Sequence, residues 1–149
     1  MSLKKLIKTS TATCLFCISN HDAGPAWAGD YKHFFVSMRI RRLRINQIEY
    51  GKVAMADTFG LRLRGLMGRT FADFDALILL PCSSIHTCFM KYPIDVLFVG
   101  RTMKILKIEE NVQPWTLHKG CSTSHLVVEF PAGKVKKLGI KTGDTLQVH

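Results

Sequence analysis

The side chains of this chain that could do chemistry are concentrated in one stretch of twenty residues, from Pro81 to Gly100. The stretch supplies thiols, an imidazole, a thioether, a hydroxyl and a carboxylate within an apolar run, namely Cys82, Ser84, His86, Cys88, Met90 and Asp95. Thiols and imidazoles serve as nucleophiles, bases or metal ligands, and a carboxylate in an apolar strand must be paired or accept several hydrogen bonds. We therefore look for a functional site here.

The segment from Ser83 to Met90 has the length and composition of a β-strand. Alternation along such a strand would put every second side chain on one face. A long loop from Asn111 to Ser124 and a later apolar strand could add further groups to that face. The predicted site binds a small ligand or a protein partner, without a reaction being favoured, and consists of Ser84, His86, Cys88, Met90, Asp95, Trp115 and Glu129.

A metal-dependent or Cys/His enzyme at the same place is the alternative. Zinc and copper take nitrogen and sulfur ligands, for which the candidates are Cys82, His86, Cys88 and Cys121. Their C-x-x-x-H-x-C spacing is not that of a standard zinc finger, and buried cysteines commonly act as small hydrophobic residues. Zinc or copper is therefore the less favoured interpretation.

Two carboxylates have competing interpretations. Asp95 could tie down backbone N–H groups of a neighbouring loop, or act as a base or ligand-binding group. Glu129 could pair with Arg64, Arg69 or Lys91, since buried charges need partners. If Asp95 and Glu129 face one pocket, they would form a carboxylate pair for acid–base work. The sequence leaves these alternatives open.

The chain carries a net charge of +10, with seven arginines between Arg39 and Arg69. Such a surface could bind nucleic acid, but the aromatic residues nearby have positions that core packing explains, so a solvated basic face is preferred. No run is long and apolar enough for a membrane span.

The apolar pattern predicts many short strands and two short helices in one domain, residues 38–149. A hairpin from Ile40 with its turn at Gly51 is followed by a helix that Thr58 begins and Gly68 ends. A second helix is expected over Ala132 to Leu138, ended by Gly139. Further strands are expected at Ala76 to Leu80, Ile94 to Val99, Met103 to Glu109, His125 to Phe130 and Thr145 to Val148. The fold class is mainly β, either a β-sandwich or an open barrel.

Residues 1–37 are predicted to be an N-terminal extension outside this fold. Lysines, a short apolar patch and an A-x-A site ending at Ala28 occur in the order of a secretory signal, but the apolar part is weak. We favour an upstream extension or a start site assigned too early. The odd number of five cysteines favours reduced thiols and a cytoplasmic location, with export as the alternative if residues 1–28 act as a signal.

Five ordered motifs resemble one known family. They are RGLMGR, PCSSIHTCFMKYPIDVLFV, QPW, VVEFPAG and GIKTGD, which begin at Arg64, Pro81, Gln113, Val127 and Gly139. In this order they resemble the "domain of unknown function 192" family, over about residues 50 to 148. The resemblance implies a compact, mostly β domain and no assigned reaction, cofactor or partner. The chain is similar to the branch with Cys and His before the Met, so a site built on Cys82 and His86 would be specific to that branch.

Overall fold

The computed structural model describes residues 38–117 and 119–149. The N-terminal extension and its signal-like pattern at residues 1–37 lie outside the described residues. The described chain forms, in order, β1 (Arg39–Ile45), β2 (Ile48–Ala56), α1 (Phe59–Arg64), β3 (Ala76–Leu79), β4 (Ser84–Ile85), β5 (Ile94–Val99), β6 (Ile105–Val112), β7 (Lys119–Gly120), β8 (Leu126–Pro131), α2 (Lys134–Leu138) and β9 (Leu146–Val148).

Seven of the strands form one curled sheet in the order β6-β5-β8-β3-β2-β1-β9. All neighbours are antiparallel except the parallel pair β2 and β3. The two edges of the sheet meet at one end, where the Ile105 N–H donates to the Asp144 carbonyl at 2.9 Å and the Leu146 N–H donates to the Met103 carbonyl at 2.8 Å. The prediction of a mainly β domain with two short helices is confirmed, and the open barrel is the better description of the two.

The sheet has an apolar core on each face because its central strands are apolar on both sides. On one face Leu97 and Phe130 pack with Val135 of α2. On the other face Val96 and its neighbours pack with Leu61 of α1. We call these the α2 face and the α1 face.

The strand expected from Ser83 to Met90 is wrong for most of its length. Only β4 is extended, paired with β7 in a separate two-stranded sheet. From His86 the chain follows an irregular path, and Phe89 has a φ of 60°. Its backbone hydrogen bonds run to the loop around Thr116 instead of to a neighbouring strand.

The first hairpin turns at Asn46 and Gln47, whose φ values are 49° and 70°, and not at Gly51. Asparagine tolerates this left-handed conformation, which two-residue hairpin turns require. Gly51 lies inside β2, where a Cβ atom would collide with the Asp75 carboxylate that accepts a hydrogen bond from the Lys52 N–H.

Both helices lie near their predicted positions. Thr58 caps α1 by accepting from the Leu61 N–H, and α1 ends at Gly65, one turn before the predicted Gly68. The second helix, α2, ends at Gly139 as expected. Within the described ranges, neither helix is long and apolar enough to cross a membrane.

Candidate functional site

Glu129 is the most unusual side chain of the sheet. It lies at the centre of β8, paired across from Leu77 of β3 and Val96 of β5, and is 3% exposed. Its Oε2 atom is buried and has no hydrogen-bond partner among the described residues. Burial raises the pKa of Glu129 to about 8. The group is therefore a neutral carboxylic acid over most of the physiological pH range, with hydrogen-bonding capacity that the described protein does not use.

Cys82 and Tyr92 are the ionisable neighbours of Glu129. Burial raises the pKa of the Cys82 thiol, and the Glu129 charge adds to this effect. The thiol donates a hydrogen bond to the Ser84 carbonyl at 3.0 Å. Burial and the Glu129 charge also raise the pKa of Tyr92. Both side chains pack against the α1-face core, so this face holds a thiol, a phenol and an acid close together.

His86 presents the second buried polar atom without a partner. Its Nδ1 is buried and accepts or donates no hydrogen bond within the described chain. Burial lowers the pKa of His86, and a hydrogen bond with the backbone of Leu63 in α1 acts in the opposite direction. The imidazole is thus held neutral beside α1, on the same side of the sheet as Glu129.

Asp95, unlike Glu129 and His86, has its buried polar atoms paired with backbone groups. Its carboxylate is fully buried on the α2 face and accepts two backbone hydrogen bonds, from Asn111 at 2.9 Å and from Val135 at 3.0 Å. The Asn111 N–H belongs to an irregular position of β6 with a φ of 53°, and the Val135 N–H is in the first turn of α2. Asp95 thereby ties β6 and α2 to β5, which is the structural alternative considered from the sequence.

The carboxylate pair that the sequence left open does not form. Asp95 pairs with Phe130 in the sheet, and Glu129 pairs with Val96, so the two acids point to opposite faces. The salt bridges considered for Glu129 are not formed either, because none of the described Arg or Lys side chains lies within ion-pair distance of it.

The loop that carries Trp115 is held by Thr87. The fully buried Thr87 hydroxyl donates to the Gln113 carbonyl at 2.7 Å and accepts from the Thr116 N–H at 2.8 Å. Trp115 is 60% exposed, has a φ of 64°, and makes an edge-to-face contact with Phe89 at 4.8 Å between ring centroids. Alternation along the expected strand would put Thr87 on the face opposite to Ser84 and His86, so Thr87 was not among the predicted site residues.

The remaining sequence-predicted residues are distributed over this neighbourhood. Met90 and Cys88 are buried, Ser84 is half-buried, and Met90 is part of the α1-face core. Cys82 and Cys121 lie on adjacent segments, since the Cys121 N–H donates to the Ser83 carbonyl at 2.9 Å. Among the described residues, no three His, Cys, Asp or Glu side chains come together to hold a metal ion.

The basic surface is partly neutralised. Arg39 forms an ion pair with Asp57, and Arg42 forms one with Glu49. Arg62 donates to the backbone carbonyls of Asp57 and Leu80.

Comparison with known proteins agrees with this fold. The family model of DUF192, described as "Uncharacterized ACR", matches residues 41–148. This chain belongs to the DUF192 family. A UPF0127 protein of Thermococcus sibiricus is 30% identical over 101 residues, which are 64% of this chain and 65% of that protein. A UPF0127 protein of Thermococcus kodakarensis is 29% identical over 65% of this chain and 64% of its own length. The chain thus spans slightly less than two thirds of these two relatives.

Two solved structures share the DUF192 fold seen here. A protein of Sinorhizobium meliloti 1021, provisionally described as a transcription regulator, superposes with a TM-score of 0.69 and 26% identity over 76% of this chain and 96% of its own. A protein of unknown function from Novosphingobium aromaticivorans superposes with a TM-score of 0.65 and 24% identity, over 77% of this chain and 89% of its own.

Proposed function

We propose that this DUF192 domain is a binding module for a small molecule, with its site on the α1 face around Glu129, Cys82, Tyr92 and His86. The observation that carries the proposal is the buried Oε2 atom of Glu129, which has no hydrogen-bond partner among the described residues. Leaving a buried polar atom unpaired costs about 1 to 3 kcal/mol, and native proteins rarely accept that cost without a function. A ligand that completes this hydrogen bond would recover it.

The acid–base state of the site favours recognition over nucleophilic chemistry. The raised pKa of Cys82 keeps its sulfur protonated, whereas a catalytic cysteine needs a lowered thiol pKa. The raised pKa of Glu129 and the lowered pKa of His86 keep both groups neutral near pH 7. A neutral acid and a neutral imidazole can both donate and accept hydrogen bonds, so they suit a polar ligand such as an amide, a hydroxyl compound or a heterocycle.

A thermal-shift screen with compounds of these classes tests the proposal. Compounds that raise the melting temperature of the wild-type chain should raise that of Glu129→Leu by a smaller amount. The shift should be smaller still when His86→Phe is added to Glu129→Leu. Glu110→Gln, a change at an exposed carboxylate, is the matched control. The proposal fails if no compound in the screen shifts the wild type, or if every compound that does shifts Glu129→Leu equally.

Nucleic-acid binding through the Arg39 to Arg69 surface is a second candidate. It is favoured by the provisional description of the Sinorhizobium protein and by the exposed side chains of Arg41 and Arg44 on β1. Electrophoretic mobility shifts at increasing salt test it, since neutralising phosphates makes affinity fall steeply with salt. Loss of the shift in an Arg41→Gln/Arg44→Gln variant is the expected result, and no shift with either DNA or RNA would remove this candidate.

A further inference from the structure

We propose that Phe89, Trp115 and Leu117 form a surface that docks onto an anionic lipid bilayer. We call these three residues the Trp115 patch. In this arrangement the apolar side chains enter the bilayer interface, and neighbouring lysines contact the lipid phosphate groups. The inference goes beyond the small-molecule site proposed above and does not rest on it, because the two share no residue.

The patch is assembled from two loops that are far apart in sequence. The rings of Phe89 and Trp115 make their edge-to-face contact across these loops, and Leu117 follows Trp115 by two residues. Trp115 is 60% exposed, Leu117 57% and Phe89 37%. Single apolar residues scattered over a surface are normal, whereas large apolar side chains grouped in one place mark an interaction surface.

The backbone of both aromatic residues has a conformation that bulky side chains rarely adopt. The φ angle is 60° at Phe89 and 64° at Trp115, in the left-handed region where glycine and asparagine are common. Such a conformation persists only where the surrounding structure imposes it, and it is found preferentially at functional sites. Core packing does not account for it at Trp115, since most of this residue is exposed.

Thr87 supplies the constraint on both loops. Besides the two hydrogen bonds of its hydroxyl, its N–H donates to the Thr116 carbonyl at 2.9 Å and its carbonyl accepts from the Trp115 N–H at 2.9 Å. One fully buried residue thereby joins the loop of Phe89 to the loop of Trp115. Fixing the loops in advance lowers the conformational entropy that is lost on binding, so the patch is preorganised for a partner.

Lysine side chains flank the patch on both loops. Lys91 is exposed, follows Phe89 by two residues and has no ion-pair partner among the described residues. Lys107 and Lys119 share the carboxylate of Glu109, at 2.7 and 3.5 Å. The Lys107 amine also donates at 3.3 Å to a backbone carbonyl of β7, which closely follows the patch in sequence. Three lysines against one carboxylate leave these surroundings positively charged.

An anionic bilayer matches both the apolar and the charged part of this surface. Tryptophan and phenylalanine are favourable at the membrane interface, and lysines are attracted by anionic headgroups, as is a chain of net charge +10. Single-stranded nucleic acid fits less well, because exposed Leu117 has no ring on which a base could stack. A second copy of the chain fits less well because two positively charged surfaces would meet.

Binding to vesicles of equimolar phosphatidylcholine and phosphatidylglycerol is the direct test, with vesicles of phosphatidylcholine alone for comparison. The full chain has two tryptophans, so Trp27→Phe leaves Trp115 as its only indole. We expect the fluorescence emission of Trp115 to move to shorter wavelength with the anionic vesicles, because the indole enters a less polar environment. The change should be much smaller with the uncharged vesicles and at high salt, which screens the attraction.

Sedimentation with the same anionic vesicles compares the variants. Trp115→Asn should bind about tenfold or more weakly, and asparagine tolerates the left-handed backbone at this position. Leu117→Asn should also weaken binding, and it leaves the contact between the two rings intact. Ile48→Asn removes a side chain that is 60% exposed in the first hairpin, so it is the matched control and should bind like the wild type.

A lysine pair tests the electrostatic part. Lys91→Gln should weaken binding to the anionic vesicles by about fivefold. Lys137→Gln removes the same charge from an exposed position of α2, which packs on the opposite face of the sheet from the core that contains Met90. This control should weaken binding much less.

The inference is overturned if the anionic vesicles do not bind the chain, or if they bind it while the emission of Trp115 stays unchanged. Equal weakening by Ile48→Asn and Trp115→Asn would also overturn it. So would a Trp115→Asn variant that binds vesicles normally but loses binding of single-stranded DNA, or loses a self-association seen by analytical ultracentrifugation.

Discussion

Asp95 of β5 and Glu129 of β8 are carried by adjacent central strands, yet their carboxyl groups lie on opposite faces of the sheet. Asp95 accepts two backbone hydrogen bonds on the α2 face, whereas the Oε2 of Glu129 is unpartnered on the α1 face among the described residues. The two carboxyl groups are both buried but differ in how far their hydrogen-bonding capacity is satisfied. Asp95 ties β6 and α2 to β5, whereas Glu129 keeps hydrogen-bonding capacity that the described residues do not use. From this difference we expect opposite effects on stability near pH 8 for the amide variants Asp95→Asn and Glu129→Gln.

Asp95→Asn should destabilise the domain. An asparagine has a single acceptor oxygen, so one of the N–H groups of Asn111 and Val135 would face an amide NH₂ and lose its hydrogen bond. The expected loss in the free energy of unfolding is about 1 to 3 kcal/mol, measured by urea denaturation. Asp73→Asn, at an exposed position, is the control and should change little. Equal stability of Asp95→Asn and wild type would contradict the structural role of Asp95.

Glu129→Gln should change the pH dependence of stability. With a pKa of about 8 in the folded state and 4.5 as its ordinary value, Glu129 keeps its proton on folding where the unfolded chain loses it. Its contribution is fully present below about pH 4.5 and is lost as the pH rises through about 8, with a slope of about −1.4 kcal/mol per pH unit between them. The amide that replaces the carboxyl group does not titrate, so the stability of the variant relative to wild type should rise from about pH 5 to about pH 8.

The measurement is the free energy of unfolding in urea at several pH values in that window. Glu110→Gln changes an exposed carboxylate and should run parallel to the wild type at every pH. A constant difference between Glu129→Gln and the wild type across the window would show that Glu129 titrates normally in the folded protein, and would remove the neutral-acid basis of the proposed site.

The sequence predicted the sheet well because the central strands are apolar on both faces. The segments around Ile94 to Val99 and His125 to Phe130 are short, apolar and bounded by turn residues, and β5 and β8 occupy them almost completely. The helix caps at Thr58 and Gly139 were equally predictable from the sequence, since each satisfies backbone groups at a helix end that otherwise have no partner.

The candidate site was less predictable because alternation is a property of strands only. Once the chain leaves β4 after Ile85, side-chain direction depends on the turn at Phe89 and on the bonds of Thr87 to the loop around Thr116. Those are contacts between residues far apart in sequence. Likewise, no local pattern indicates that Asp95 lies opposite Phe130 while Glu129 lies opposite Val96. This offset of one residue in the strand pairing puts the two carboxyl groups on opposite faces.

Thr87→Val should loosen the loop that presents Trp115. Valine has nearly the same shape but neither donates to the Gln113 carbonyl nor accepts from the Thr116 N–H. We expect the amide hydrogen of Thr116 to exchange faster with solvent and the domain to lose about 1 to 3 kcal/mol of stability. Hydrogen exchange followed by mass spectrometry of peptides covering residues 113–117 is the measurement. Thr87→Ser keeps the hydroxyl and should preserve protection, and unchanged exchange in Thr87→Val would show that the hydroxyl does not hold the loop.

Alkylation of Cys82 should report its proximity to Glu129. The Cys82 thiol reacts as a thiolate, and its pKa is raised by burial and by the Glu129 charge. Above about pH 8 Glu129 carries a negative charge in the wild type, whereas the glutamine of Glu129→Gln is neutral. Because the Glu129 charge raises the thiol pKa, iodoacetamide should label Cys82 faster in the variant than in the wild type above this pH. Below that pH both proteins carry a neutral group at position 129, and Cys82 should react at similar rates in the two proteins.

Mass spectrometry of the Cys82 peptide gives the rate, with the half-buried Cys121 of the same sample as the internal reference. A rate increase shared by Cys121 would indicate general loosening, and equal Cys82 rates in the two proteins above that pH would place the Glu129 charge too far away to act on the thiol.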